Sequence, residues 1–496
     1  MSTSARYRLD VLGYLLAIAY AWPTLLYPYG RDQALYAYVA WGWMQGHLPY
    51  VDSFDQKPPG IYLLYGLGWL LFGPQTWAIR ALELGALLWI GRAVGQLVAR
   101  PDEPSLGSGA AALLVVGIHV TCFDFWHTGQ LEVWEALFVL LAMVQARAGR
   151  PLRAGALSGL AFLFKFPSLL MILVVAAAAL STRRRVSTLA WFVGGALIPA
   201  VVVLPWVLTG HTRDLYDVLI VYNRAYLDKA SAFLDARELW LDWAWPYTAL
   251  LGALAMCGVV AAIRLRALGG GGWLLALLGA AVGTVAWQAK GYPYHWTVVP
   301  PFAVAVGMWG GARLAAWWPR LGRAPVGLAL AAATVWIGLV TAPGWYRHQQ
   351  WNYERYYPLA VQYARGRVRP QRFLNSFVST HIGGFSAANI ARISALIRAQ
   401  HQPGDTLCMI GFDPDINNQT GMRCTSRFVS NFPIADAGLR YPMKRAWTAE
   451  YQRTFLEDPP TFLVYTQRKT RPVDQAVANG YQEIARAGRY VALRKP

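Results

Sequence analysis

Three carboxylates, Asp32, Asp52 and Asp55, lie close in sequence to one lysine, Lys57. The stretch reads Gly30-Arg31-Asp32-Gln33-Ala34-Leu35-Tyr36-Ala37, then Gly46-His47-Leu48-Pro49-Tyr50, then Asp52-Ser53-Phe54-Asp55-Gln56-Lys57-Pro58-Pro59-Gly60. A positioned Asp is a suitable base for a hydroxyl that attacks an anomeric carbon. A neighbouring lysine can neutralise a phosphate leaving group. Paired carboxylates also occur in plain solvated loops, where they only carry charge. Spacing alone divides evenly between these two readings.

What must position these residues is a membrane. The 496-residue chain is 56% hydrophobic and only 14% charged, with a mean hydropathy of +0.30. That balance points to a bilayer as solvent. Twenty-three Trp and 26 Tyr fit aromatic belts at the two interfaces. The net charge of +19 raises nucleic-acid binding as a reading, but the positives sit in short clusters between apolar runs, such as Arg147/Arg150/Arg153 and Arg183-Arg184-Arg185. Clusters of that kind orient spans and attract anionic lipid, so no nucleic-acid partner is expected. Arg6 and Arg8 precede an uncharged run from Val11 to Tyr29 with no small-residue cleavage site, which reads as a first span that stays.

A crossing helix needs about 20 apolar residues. Runs of roughly that length recur near 76–98, 107–126, 130–146, 187–208, 244–263, 271–288, 294–312 and 324–342. Stretch 152–181 holds two shorter runs that meet at Lys165-Phe166-Pro167, and 59–73 is apolar but short. The basic clusters belong on the cytoplasmic side. All of them fall there only if 59–73 lies on the surface and 152–181 crosses twice. The result is a polytopic α-helical membrane protein of about eleven spans, seven of them before the long loop 209–243. Loops 30–75, 209–243 and 289–293 then lie outside, as does the tail. Residues 1–343 form the membrane module, and 344–496 reads as a soluble α/β domain on the outer face. There, Gly384–Gln400 has helical periodicity, Thr406–Gly411 and Thr461–Tyr465 read as strands, and Val473–Ala487 followed by Tyr490–Leu493 reads as helix then strand. No internal repeat suggests the two-fold build of many transporters.

Cys122 and Cys257 lie in apolar runs and read as small buried hydrophobes. Cys408 and Cys424 share the tail, where an oxidising compartment would permit a disulfide, but spacing cannot place their Cα atoms. No Cys/His spacing implies a metal site.

An ordered set of motifs resembles the GT-C superfamily of membrane glycosyltransferases, and within it the bacterial branch related to protein O-mannosyltransferases and aminoarabinose–lipid A transferases. The set comprises Asp32-x-x-x-Tyr36-Ala37, Gly46-x-x-Pro49-Tyr50, Lys57-Pro58-Pro59-Gly60-x-Tyr62, Phe72-Gly73 and Ala78-Ile79-Arg80. It continues with Gly159-Leu160-Ala161 through Lys165-Phe166-Pro167, then Lys290-Gly291-Tyr292-Pro293-Tyr294-His295. Gly411-Phe412-Asp413-Pro414 and Thr425-Ser426-Arg427-Phe428 complete it. The resemblance implies a polyprenyl-phosphate-linked sugar donor and an inverting transfer that is metal-independent or only weakly metal-assisted. It also implies an active site at the outer face of a bacterial inner membrane and an envelope glycan, lipid or protein as acceptor. Asp32 takes the place of the family's first-loop catalytic Asp, with Asp55 second. Many relatives carry Asp-Glu where this chain has Asp32-Gln33, so any role of that second carboxylate is lost or moved to Asp52 or Asp55.

Lys57 is one donor-phosphate candidate and Lys165 another, a cation too costly to leave in hydrocarbon unless it faces protein, water or phosphate; snorkelling to the interface is the plain alternative. Arg80 could grip phosphate bidentately or simply anchor a span. Lys290, Tyr292 and His295 flank an outer turn and could touch donor or acceptor, although a satisfied interfacial His serves equally. Tyr222-Asn223-Arg224-Ala225-Tyr226 resembles the family's mobile lid, with Arg224 its best phosphate candidate. Glu132 is a wall residue or a helix-end charge. A flippase for lipid-linked sugars and a non-catalytic scaffold are the rival classes.

Overall fold

A computed structural model describes residues 3–99, 107–182, 186–233, 258–259, 269–290, 292–317, 356–379, 384–466 and 471–496. The expected spans 244–263, for all but two residues, and 324–342 lie outside the described residues, as do 234–243 of the long loop and 344–355 of the tail. The chain divides into two compact units: Met1–Leu26, Ile79–Val202 and Ala230–Tyr357 form one, and Tyr27–Ala78, Val203–Lys229 and Pro358–Pro496 the other.

The first unit is helical. It holds α1 (Thr3–Ala21), α4 (Thr76–Val98, from Ile79 onward), α5 (Ser108–Cys122), α6 (Leu131–Arg147), α7 (Pro151–Phe164), α8 (Leu169–Thr182) and α9 (Val186–Leu197), followed by helices Gly269–Trp287 and Val299–Trp317. Three stretches, Tyr7–Leu26, Thr76–Val98 and Val186–Leu208, are long and apolar enough to cross a membrane by length and composition. Trp191, Leu197 and Val201 of the third point outward and exposed, which suits lipid and not water.

Small residues set the helix spacing. Gly155 and Gly159 of α7 face the backbone of α9 and Pro199 so closely that a Cβ on either would meet the carbonyls of Phe192 and Ala196. Gly195 returns the approach against Leu152. This small-xxx-small spacing lets backbones touch where apolar burial gives no drive. The helix pair expected over 152–181 breaks at Lys165, where extended backbone ends α7 and Pro167 opens a short 3₁₀ turn.

The second unit is built from α2 (Arg31–Met44), α3 (Gly60–Phe72), the segment Leu204–Lys229 and a C-terminal α/β part. Pro59 stands at the head of α3, and Gly73, at a φ of 77°, ends it before Pro74. In the α/β part, β1 (Leu407–Ile410), β2 (Phe462–Thr466), β3 (Gln482–Ala487) and β4 (Tyr490–Arg494) form one sheet in the order β1-β2-β4-β3. β1 runs parallel to β2, and β4 antiparallel to both its neighbours. Helix Ala387–Arg398 and strands β1 and β2 fall where periodicity expects them.

One expectation is corrected. Residues 482–487 are a strand, not the end of a helix: Gly480, at a φ of 87°, terminates helix Arg471–Ala478, and Gly488, at 56°, turns β3 into β4. Gln, Glu, Ala and Arg favour helix locally, but pairing with β4 decides.

Cys408, on β1, is disulfide-bonded to Cys424, and their Cα atoms are 4.6 Å apart. The bond closes a segment of 16 residues. In the chain-entropy picture a loop of that length confers about 3 kcal/mol. Cys424→Ser should therefore lower the melting temperature of the detergent-solubilised protein and abolish its sensitivity to reductant, both read by differential scanning fluorimetry.

Candidate active site

The first-loop carboxylates are held by the second unit alone. Asp32 lies half-buried in the first turn of α2, where its charge complements the helix macrodipole. The Gln33 side chain accepts from the Gly30 backbone N–H, the return half of a capping box. Position 33 therefore does backbone work here, and a carboxamide performs it without adding a second negative charge beside Asp32.

The preceding residue anchors the whole turn. Arg31 is buried and pairs with Asp413, Nε to Oδ1 at 2.7 Å. Asp413 also accepts from the Tyr490 hydroxyl at 3.0 Å. The guanidinium lies over the rings of Phe385 and Phe412. Asp413 follows β1 and Tyr490 opens β4, so the sheet fixes where α2 begins.

Asp55 is fully enclosed at 5% exposure. Its Oδ1 accepts from the Gln56 N–H at 2.6 Å and its Oδ2 from the Tyr62 hydroxyl at 3.0 Å. Tyr62 and Tyr50 both donate to the Lys57 carbonyl, at 3.1 and 2.7 Å. Burial raises the Asp55 carboxyl from its ordinary value to about 6. Lys57 opposes that rise, Asp32 adds to it, and the hydrogen bonds from Tyr62 and Gln56 oppose it. Asp32 and Lys57 thus both act on Asp55, whereas exposed Asp52 is spent on capping its own turn by accepting from the Leu48 N–H.

Around them the loop is walled by rings. Phe54 packs against Tyr222, Phe428 and Trp447. Asn223 donates to the Gln56 carbonyl and Trp206 to that of Pro49, so the segment 204–229 is tied to the loop at two points. Arg224 stands exposed in the first turn of helix Asn223–Phe233.

The other candidates belong to the helical unit. Lys165 pairs with buried Glu132 across α6 and α7, which answers the cost of both charges. Glu135, one turn along α6, is also fully buried, and sequence reasoning gave it no role. Its i, i+3 relation to Glu132 on one helix face was the available signal. Arg80 donates to Thr128, and Glu83 accepts from the Gly129 N–H at 2.7 Å, so both hold the α5–α6 turn. His295 is buried with its ring against Tyr292 and Tyr294, while Lys290 is half-buried and Tyr292 exposed. No group of three or more His, Cys, Asp or Glu suited to a metal occurs among the described residues.

A family model, Glycosyltransferase family 87, matches residues 57–287. The crystal structure of ArnT from Cupriavidus metallidurans in the apo state is similar along nearly the whole length, covering 99% of this chain and 98% of that one, at 17% identity and a TM-score of 0.51. ArnT from the same organism bound to undecaprenyl phosphate covers the same shares at 15% identity and a TM-score of 0.49. No curated protein matches. The chain is a helical membrane protein with the fold of that apo ArnT structure.

The raised Asp55 carboxyl has a thermodynamic consequence. The folded state holds a proton that the unfolded chain releases between about pH 4 and 6, so folding weakens as pH rises through that window. A rise of this size costs about 3 kcal/mol at neutral pH. Asp415, pushed by burial to about 6, contributes in the same direction, so the comparison must be between variants. Asp55→Asn should melt higher than the parent at pH 7.5 and lose that advantage at pH 4.5. An equal difference at both pH values would show that Asp55 titrates normally.

Proposed function

We propose that this chain transfers a sugar from a polyprenyl-phosphate-linked donor to an extracytoplasmic acceptor (glycan, lipid or protein) with inversion, using an Asp as general base. The carrying observation is the first loop. A half-buried Asp32 at a helix start and the Lys57 cation both act on a buried Asp55. The motif resemblance, the family match over 57–287 and the ArnT-like fold support the same reading.

In this reading Asp32 takes the proton from the attacking hydroxyl, and Asp55 is the second candidate for that role. Lys57 and Arg224 neutralise donor phosphate. Arg80, Lys165, Lys290 and His295 are further donor contacts, and Tyr292 offers a ring to donor or acceptor. The eleven-span topology, the membrane module 1–343, the outer domain 344–496 and the bacterial inner membrane complete the reading. The Cys408–Cys424 disulfide supports an oxidising outer compartment for the tail. The transfer is metal-independent or only weakly assisted by a divalent metal, which the sequence does not require.

One observation favours a rival: half-buried Lys165 and buried Glu132 and Glu135 lie among the helices, where a flippase for lipid-linked sugars keeps its ionisable residues. Product analysis separates the two. Protein in nanodiscs, given a panel of polyprenyl-phosphate sugars, should release free carrier and a glycosylated acceptor. Asp32→Asn should cut that rate at least about 100-fold. Transfer by the variant at the parent rate removes Asp32 as the base, and translocation without bond breakage makes the protein a flippase.

A further inference from the structure

Arg427 gathers four separate stretches of the second unit around one guanidinium. Its Nη1 donates to the Tyr50 carbonyl at 3.0 Å. Its Nη2 donates to Glu450 Oε2 at 2.7 Å, and its Nε lies 2.7 Å from Glu450 Oε1 as an ion-pair contact. Asp214, in the segment that follows Leu208, stands 3.7 Å from Nη1. The plane rests against Phe428 and Trp447 at 4.9 and 5.1 Å. The main chain joins in, since the Arg427 carbonyl accepts from the Phe54 N–H at 2.7 Å. Arg427 therefore grips the loop at Tyr50 with its side chain and at Phe54 with its backbone, and Phe54 directly precedes Asp55.

The two carboxylates that meet the arginine are unequal. Glu450 makes a close, paired contact, whereas Asp214 is at longer range, is about a third exposed and shares its other oxygen with His211. The first is an anchor, and the second is a contact that can open without unseating the guanidinium.

We propose that Arg427 is a positioning residue that holds the Tyr50–Phe54 loop so that Asp55 stays enclosed, and that Asp214 links segment 211–223 to the same arginine as a separable latch. The inference rests on the glycosyl-transfer reading for its kinetic consequences but not for its structural one. The groups that interact with Asp55 are Lys57 and Tyr50 from the loop, Asp32 at the start of α2, Tyr62 of α3 and Tyr222 from the latch segment. Releasing the loop admits water to Asp55 and removes the largest cause of its raised titration, so the pH dependence it contributes moves toward acid.

The test uses the full chain in nanodiscs with a polyprenyl-phosphate sugar and compares Arg427→Gln, Arg427→Lys, Asp214→Asn and Asp55→Asn. Hydrogen–deuterium exchange of residues 50–56 reads positioning whether or not sugar transfer occurs. Arg427→Gln should speed exchange there at least tenfold, lower kcat at least tenfold and shift to lower pH the acidic limb that Asp55→Asn removes. Arg427→Lys keeps the charge but not the planar guanidinium that reaches Tyr50 and Glu450 together, and should fall between Gln and the parent in all three. Asp214→Asn should leave kcat and its pH profile as in the parent while raising KM several-fold and exchange at 211–223. Unchanged exchange at 50–56 in either Arg427 variant overturns the proposal even where activity falls. If Arg427→Gln fails to fold, Arg427→Lys decides, and a pH profile identical to the parent's overturns it. Full transfer by both Asp32→Asn and Asp55→Asn sinks the glycosyl-transfer reading instead, leaving the exchange result to judge Arg427.

Discussion

The buried pair between Arg31 and Asp413 is the constraint on which the candidate site depends. Neither side chain reaches water, so each charge has given up its hydration and must be repaid by the other. Tyr490 takes a further lone pair of Asp413, and two aromatic rings flank the guanidinium, so the pair is satisfied on several sides. Buried charge tolerates little displacement, because any lengthening loses attraction without restoring water. Asp32 is the next residue along the chain. Its place is therefore set by residues almost four hundred positions away, through a sheet whose own edge is tied by the Cys408–Cys424 bond.

This arrangement explains which parts of the site the sequence could reveal. Helix positions were legible because apolar length and turn chemistry are local: Lys165-Phe166-Pro167 breaks the chain where a proline must. Asp32 stood out as a carboxylate between aromatic, membrane-hugging segments, but the helix start that holds it lies in what read as an outer loop. The pairing of Lys165 with Glu132 was not, although both residues stood out singly, since it requires α6 and α7 to pack side by side. Arg427 stood in a recognised Ser-Arg-Phe run, yet nothing near it in sequence shows that Tyr50 and Phe54 are its partners. The strand at 482–487 was misread for the opposite reason, because its residues favour helix and only the β4 pairing overrides them.

The two acids of the first loop are separated by environment more than by type. Asp32 sits at a helix N-terminus, half in water, where negative charge is welcome. Asp55 is enclosed against the Tyr62 hydroxyl, and burial raises its carboxyl to about 6. A base near its operating pH accepts a proton more readily than one that ionises easily, and by that measure Asp55 has the better chemistry. A carboxylate that stays charged is better suited to steadying positive charge as it develops on a sugar ring. Sequence resemblance ranks Asp32 first, whereas burial raises the proton affinity of Asp55 above that of an ordinary carboxylate. Both hold if the pair acts as a unit, with one proton's affinity set by the other's charge. The coupling between them supports that view, because Asp32 itself contributes to the raised carboxyl of Asp55. The first loop therefore sets one acid at a helix start and encloses the other, and the charge of the first adds to the raised carboxyl of the second.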